Sequence, residues 1–307
     1  MKKTLFVLLA LALLVGALAG YFLGTANGQD ALFKRAVASA MGRTSDTFDG
    51  LRVVVCGSAS PLGNVPERAQ ACIAVVTPEH FFLFDVGARS PMRMSQAQLP
   101  MGRINGVFLT HFHSDHIAAL PAVDLTSWVQ GRQAPLAVYG PEGVATVVEG
   151  FNTAYQLDRG YRTAHHGSEL LNPERAFMQA NTIATSGVVW QDENLTVTAF
   201  EVAHPPITPA VGYRVDYRGR SVVISGDSNA SESLFAAAQG ADLLLHDALS
   251  RTLLDPMIEV ATNANARRLS TIMHDVIDYH ADASTLPDRA ASAGIAQLVF
   301  YHMVPAP

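Results

Sequence analysis

The sequence has few charged residues and few cysteines. Asp, Glu, Lys and Arg make up 16% of its 307 residues, and the net charge is -6 at pH 7. Because no basic excess is present to neutralise phosphates, we expect no nucleic-acid partner, whereas a small anionic substrate stays compatible with this charge. Internal repeats and low-complexity tracts are also absent. With 49% hydrophobic residues, the sequence can bury an ample core in one large domain or two small ones.

Only two cysteines are present, Cys56 and Cys72, and each lies in or beside a strand-like apolar run. This small number is compatible with an oxidising compartment, and we hypothesise that a disulfide closes the loop between them. The alternative interpretation is two small buried hydrophobic side chains.

The N-terminus combines a short positive segment, Lys2-Lys3, with twenty uncharged residues at positions 4–23. Ala17-Leu18-Ala19 before Gly20 resembles a signal-peptidase site, and a run of this length can also just span a bilayer. Both interpretations export the remaining chain to the periplasm or another extracytoplasmic space, either secreted or anchored through residues 4–23. We therefore expect a signal peptide or anchor at 1–29, a short helix and linker at 30–50, and the main domain at 51–307.

Strand-like and helical patterns alternate along the main domain, with hairpins early and strand–helix alternation late. This order predicts an α/β fold whose sheets are covered by helices. Tyr217-Arg218-Gly219-Arg220 is typical of a hairpin turn. Residues 158–191 show no clear period, and we expect an irregular insertion that overhangs the functional site.

The densest group of functional side chains follows the apolar run Val107-Phe108-Leu109. It contains His111, His113, Asp115 and His116. Imidazole nitrogen and carboxylate oxygen suit zinc and similar divalent ions, and an extended segment aims residues at i and i+2 the same way. Asp115 and His116 lie past the turn, so one loop can supply half of two adjacent metal sites. The alternative is a polar loop that contains histidines by chance. Because the whole chain has only eleven histidines in 307 residues, four metal-type ligands within six positions are improbable by chance.

Three further candidates each follow an apolar strand-like run: His204, Asp227 and His302. Loops at strand ends converge at one edge of such a fold, and one carboxylate can hold two cations about 3.5–4 Å apart. The alternatives are a surface histidine for His204 and a helix-capping aspartate for Asp227.

The spacing His-x-His-x-Asp-His resembles the signature of the metallo-β-lactamase superfamily, and the similarity extends from about Leu51 to His302. The resemblance implies a four-layer αβ/βα sandwich with the metals at one edge. Further motifs resemble the ribonuclease Z and arylsulfatase-like branch; they are Val55–Pro61, Tyr139-Gly140-Pro141-Glu142-Gly143, Leu245-His246-Asp247-Ala248 and Tyr279–Ser284.

The resemblance also implies a ligand set for two divalent ions, which we expect to be zinc, with manganese or iron as alternatives. His111, His113 and His204 would hold one ion, and Asp115, His116 and His302 the other. Asp227 would be shared between the two ions. By the same resemblance, Asp85 would orient loop residues or ligand imidazoles from behind.

We assign catalytic roles to Asp115, His280 and Asp247. By resemblance, His280 binds the transferring group or protonates the leaving oxygen, and Asp247 orients it. His246 and His274 are weaker candidates, and His165-His166 is expected to be a surface pair.

The expected activity is hydrolysis of small anionic or aryl esters, namely phosphodiesters or aryl sulfates, by a hydroxide that bridges the metals. Alternatives are a lactonase or β-lactamase acting on carbonyl esters, and a non-catalytic metal-binding module at the membrane surface. A diiron redox role is disfavoured because no flavin or rubredoxin-like segment accompanies the site. Processing of tRNA is not expected, since the basic arm that ribonuclease Z inserts between the positions matching His204 and Asp227 is missing. A homodimer is a further expectation.

Overall fold

The computed structural model describes residues 2–41, 48–62 and 67–306. These residues divide into two compact units, Met1–Thr47 and Phe48–Pro307. The boundary lies close to the predicted start of the main domain at Leu51. Most of the predicted linker, residues 42–47, lies outside the described residues.

The first unit consists of two helices, α1 (Lys2–Gly24) and α2 (Ala26–Met41). The helix predicted from Asp30 therefore begins earlier, at Ala26. By length and hydropathy, no single described helix qualifies as a membrane span; Ala10–Gly24 and Ala26–Ser39 qualify only as a pair, with a bend of 84° between them. Export and anchoring of this segment stay predictions.

The second unit is built on two six-stranded sheets, each a mixture of parallel and antiparallel pairs. The first sheet has the order β1 (Arg52–Gly57), β2 (Cys72–Val76), β3 (Phe81–Phe84), β4 (Gly106–Phe108), β5 (Leu136–Gly140) and β6 (Met178–Thr182). The second has the order β12 (Leu298–Val304), β11 (Leu243–Leu249), β10 (Arg220–Ile224), β9 (Val211–Tyr217), β8 (Leu195–Glu201) and β7 (Gly187–Gln191).

The two sheets face each other across an aromatic core, in which Phe84 and Phe108 of the first sheet pack on Tyr213 of the second. Helices cover both outer faces. Those that follow first-sheet strands are α3 (Ser90–Gln96), α4 (Ser114–Ile117), α5 (Leu120–Val129), α6 (Val144–Ala154) and α7 (Gln156–His166). Those that follow second-sheet strands are α8 (Glu232–Ala237), α9 (Arg251–Asn263), α10 (Arg267–Asp275) and α11 (Leu286–Ser292). This is the predicted αβ/βα sandwich.

A disulfide joins Cys56 to Cys72 and links the antiparallel strands β1 and β2. The hypothesis of a bridge between these two cysteines is confirmed. The bridge covalently fixes the edge of the first sheet, beside the segment that leads to Ser60 and Leu62 at the functional site.

The predicted turn between β9 and β10 is also confirmed, with Tyr217 paired to Arg220. Arg218 and Gly219 both adopt positive φ, 47° and 79°. This is the conformation that two-residue hairpin loops need to match the twist of their strands.

The prediction of an irregular, overhanging insertion at 158–191 is wrong. The segment forms most of α7 and the two edge strands β6 and β7, one in each sheet. Each of these short strands pairs with one neighbour only, β6 with β5 and β7 with β8. Most of their residues are therefore only partly buried, and the sequence shows no clear apolar alternation there. None of the described residues in this range lines the cavity at the site.

The sequence pattern predicts a helix over 251–267, but α9 ends earlier, at Asn263, and a second helix, α10, begins at Arg267. Asn265 between them has φ +55°, a left-handed conformation that a continuous helix does not allow. The consequence is functional, because α10 contributes to the wall of the cavity.

Candidate active site

The site lies where loops leave several strands. The loop after β4 carries His111 and His113, and His113 directly precedes α4. Asp115 and His116 therefore lie in the first turn of that helix. This arrangement explains how one short segment supplies side chains in two directions.

Asp227 is positioned by a glycine that follows β10. Gly226 has φ +66°, and a Cβ at this residue would lie 2.8 Å from Cβ of Thr110. Only glycine allows the two loops to approach this closely. Asp227 consequently reaches the side chains that follow β4.

His302 does not end the last strand, as its sequence context predicted, but lies inside β12. The register with β11 shifts there, from Asp247 opposite Tyr301 to Ala248 opposite Met303, and His302 has φ +43°. A bulge of this kind re-aims a side chain. It turns His302 toward Asp115 and Asp227.

One group of possible ligands, the first cluster, consists of His111, His113, His204 and Asp227. Nε2 of His111 lies 2.9 Å from Nδ1 of His113, and Nε2 of His204 lies 3.4 Å from the same atom. Nε2 of His111 is 3.9 Å from Oδ2 of Asp227. One potential ligand atom from each residue lies within 4.8 Å of the others.

The second cluster consists of Asp115, His116, His302 and Asp227. Nε2 of His302 is 2.9 Å from Oδ2 of Asp115, and Nε2 of His116 is 3.3 Å from Oδ1 of Asp227. Asp227 therefore faces the first cluster with one carboxylate oxygen and the second with the other. All seven predicted ligands come together, in the two groups that the resemblance implies.

The protonation states of these groups suit a cation. Burial lowers the pKa of His204 to about 4 and holds the pKa of His111 well below its ordinary value. Both imidazoles therefore stay neutral, which is the form that binds metals. Burial opposes ionisation of Asp227, but the charges of His116 and His302 hold its pKa well below the ordinary range.

The carboxylates also stabilise positive charge at the second cluster. Burial opposes protonation of His116, yet Asp227, Asp85 and Asp115 raise its pKa well above the ordinary value. Nε2 of His116 and Oδ1 of Asp227 are buried and lie 3.3 Å apart, but neither makes a hydrogen bond of suitable geometry with a described residue. Buried polar atoms without partners are rare, and a divalent cation between them would satisfy both. The residues present thus fit two divalent ions.

A buried aspartate behind the ligands fixes their ring orientations. Oδ2 of Asp85 accepts hydrogen bonds from Nδ1 of His116 and from Oγ1 of Thr110, each over 2.8 Å. The same Thr110 oxygen lies 3.1 Å from Nδ1 of His111. Because the Nδ1 atoms are engaged, His116 and His111 present Nε2 to the site. This is the orienting role that the resemblance implies for Asp85.

His280 lies beside the second cluster, with its ring stacked on His302 at 5.3 Å between centroids. Its Nδ1 donates a hydrogen bond to Oδ2 of Asp247 over 2.8 Å. Burial opposes protonation of His280, but the hydrogen bond to Asp247 and the charge of Asp227 raise its pKa above the ordinary value. Nδ1 of His246 lies 2.9 Å from the other oxygen of Asp247. The three residues form a buried group of contacting side chains, and His280 lines the cavity.

The remaining candidate histidines lie elsewhere. His165 and His166 are exposed at the end of α7, as predicted for a surface pair, and His274 is exposed on α10 without lining the cavity. Sequence reasoning did not single out His80, which is buried and pairs with Asp192 over 2.6 Å. That pair joins the β2–β3 turn to the β7–β8 turn, so its role is in packing.

The clusters open into a cavity of about 390 Å³. The polar and charged residues that line it include His113, Asp115, Asp227, His280 and His302. The lining also includes Leu62, Ile272, Val276, Tyr279 and Val304, which sequence analysis did not identify as cavity residues. Tyr279 could have been found from its place beside His280; the others are apolar residues with no chemical signal of their own.

A model of the β-lactamase superfamily domain matches residues 81–303. The chain belongs to the β-lactamase superfamily. Ribonuclease Z of Mycobacterium bovis (strain BCG / Pasteur 1173P2) is 34% identical over 259 residues, which cover 83% of this chain and 87% of that protein. Superfamily membership establishes a hydrolase domain with a candidate metal site; it does not select the substrate.

Solved structures of superfamily members share the fold. YhfI from Bacillus subtilis, a metallo-β-lactamase fold protein, has a TM-score of 0.60 at 17% identity, covering 85% of this chain and 88% of its own. The short form of human tRNase Z has a TM-score of 0.56 at 24% identity, covering 82% of this chain and 92% of its own. At these identities the likeness concerns the fold alone.

Proposed function

We propose that this protein is a hydrolase that uses two divalent ions, zinc in the first instance, to cleave small phosphodiesters or aryl sulfates. The observation that carries the proposal is Asp227, whose two carboxylate oxygens face two complete ligand clusters. When bound, two such ions supply an activated water at neutral pH and stabilise charge on the attacked group.

The protein's own residues supply orientation and proton transfer. Asp85 and Thr110 hold the ligand imidazoles with Nε2 toward the site. Asp247 holds Nδ1 of His280, so that Nε2 of the imidazolium can give its proton to the leaving oxygen. Asp115 acts as a ligand and also contacts His302.

A second candidate, RNA 3′ processing, is favoured by the 34% identity to a protein named ribonuclease Z. Against it stand the net charge of -6 and the short connection between His204 and Asp227, which holds only Val211–Tyr217, Arg220–Ile224 and their turns. Small-ester hydrolysis therefore remains the primary proposal, and RNA is included in its test. Export and a homodimer stay proposals beside it.

The test is a substrate screen on the full-length, zinc-loaded chain. Bis-aryl phosphate, aryl sulfate, a lactone, nitrocefin and a precursor tRNA would be compared for wild type, Asp115→Ala and the surface control His165→Ala. We expect turnover of the phosphate or sulfate ester by wild type and control, lowered at least about a thousandfold in Asp115→Ala because a metal ligand is lost.

Each other outcome of the screen has a definite meaning. Cleavage of the lactone or nitrocefin alone would replace the proposal by carbonyl-ester hydrolysis, and cleavage of the precursor tRNA alone by RNA processing. Two bound ions without turnover of any compound would support a non-catalytic metal-binding module. Equal turnover in Asp115→Ala and wild type would contradict the metal-dependent scheme.

A further inference from the structure

Two chemically different groups of residues line the cavity at the site. One group comprises ligand-cluster residues and His280, and we call the other the apolar wall: Pro61, Leu62, Ile272, Val276, Tyr279 and Val304. These residues come from separate parts of the chain, namely the segment after β1, helix α10 with the turn after it, and the end of β12. The wall is thus assembled by the fold from segments that are distant in sequence.

The described residues that line this cavity include no Lys and no Arg. Among these described residues, positive charge for a bound anion can come from His280 and from ions held at the ligand clusters. A substrate with several phosphates would place further charges against uncharged side chains, which is costly without paired cations. The lining fits one anionic group joined to an uncharged remainder.

The apolar wall indicates what that remainder is. Val276 and Val304 are buried, and Ile272 on the rim keeps 48% of its surface exposed. Exposed apolar side chains that are continuous with a polar site are typical of ligand pockets. A ring or alkyl chain of the substrate that packs on this wall would remove the exposed apolar surface of the wall from water.

We propose that the substrate is a singly charged ester carrying an aryl or alkyl arm that lies on the apolar wall. The proposal deepens the function proposed above and rests on it for the identity of the reacting group. It distinguishes this site from one that selects a polyanionic substrate, since selectivity here comes from apolar contact beside a single charge.

The experiment uses two phosphinates that cannot be hydrolysed, diphenylphosphinate and dimethylphosphinate. Both are monoanions with a tetrahedral phosphorus, and they differ only in their apolar arms. Binding to the full-length, zinc-loaded chain would be measured by calorimetry. One methylene in an apolar pocket changes affinity by about tenfold or more, so we expect diphenylphosphinate to bind at least about tenfold more tightly.

A matched pair of variants on α10 tests whether the apolar wall causes the preference for diphenylphosphinate. Ile272 lines the cavity and Leu269 does not, yet both are 48% exposed on the same helix. Ile272→Gln is expected to reduce the ratio of the two affinities about fourfold. Leu269→Gln should leave the ratio unchanged. Adding Leu62→Gln to Ile272→Gln should lower it by about tenfold in total.

The outcomes separate this inference from the function itself. Equal affinities in wild type, or a ratio that Ile272→Gln with Leu62→Gln does not change, would overturn the apolar-arm proposal even if esters are hydrolysed. Selective binding of diphenylphosphinate that depends on Ile272 and Leu62 would uphold it. Absence of ester turnover alongside such binding would overturn the hydrolase proposal alone.

Discussion

Replacing Asp227 with alanine is expected to lower turnover at least about a thousandfold and to deplete both metal positions. The physical reason is geometric: Oδ2 lies 3.9 Å from His111 and Oδ1 lies 3.3 Å from His116, so one side chain serves both clusters. Loss of several kcal/mol of transition-state stabilisation corresponds to a rate loss of this order. Metal content by mass spectrometry and turnover of a bis-aryl phosphate check the prediction.

A comparison with His204→Ala makes the Asp227 prediction specific. His204 belongs to the first cluster only, so its loss should deplete one position and leave the ligands Asp115, His116 and His302 able to retain an ion. The exposed control His165→Ala should keep full metal content and activity. An Asp227→Ala protein that retains two ions and wild-type turnover would contradict a shared carboxylate.

Replacing His280 with alanine is expected to lower kcat by about a hundredfold to ten-thousandfold without loss of metal. His280 stacks on His302 but belongs to neither cluster, and its Nδ1 is held by Asp247 over 2.8 Å. It is thus placed to supply a proton and not to hold a cation. Asp247→Asn should also lower kcat, because it replaces the charged carboxylate that accepts the Nδ1 hydrogen of His280 with a neutral amide, which is a weaker acceptor.

The leaving group distinguishes proton donation from a purely structural role of His280. A 4-nitrophenolate leaves without protonation more readily than a phenolate, so His280→Ala should penalise a phenyl ester more than a 4-nitrophenyl ester. A structural defect would slow both esters by the same factor. Equal slowing, or a loss of bound metal in the His280→Ala protein, would therefore remove His280 from the role of proton donor.

The ligands were predictable from sequence because side chains that can bind metals directly follow apolar, strand-like runs. One short segment contains four of them, His111, His113, Asp115 and His116. The family resemblance identifies the other three, His204, Asp227 and His302, because they match ligand positions of the superfamily. The bulge that turns His302 inward was not predictable, since a register shift depends on pairing with β11 and leaves no mark in the local pattern.

The apolar wall was missed for a different reason. Ile272 lies on α10, beyond the end of the helix that the sequence predicts over 251–267, and Leu62, which lines the same cavity, is distant in sequence. Apolar residues carry no chemical signal until tertiary packing places them beside a functional group. The sequence likewise predicts an irregular insertion where the edge strands β6 and β7 lie, because pairing along one side leaves these strands only partly buried and their apolar pattern weak.

The most direct test of the account is a metal titration of the metal-free protein, followed by turnover of a bis-aryl phosphate after each addition. We predict no turnover without metal and a rise that ends at about two equivalents per chain, because the clusters share Asp227 and act together. Full turnover after exhaustive chelation, or a plateau at a single equivalent, would contradict a binuclear hydrolase.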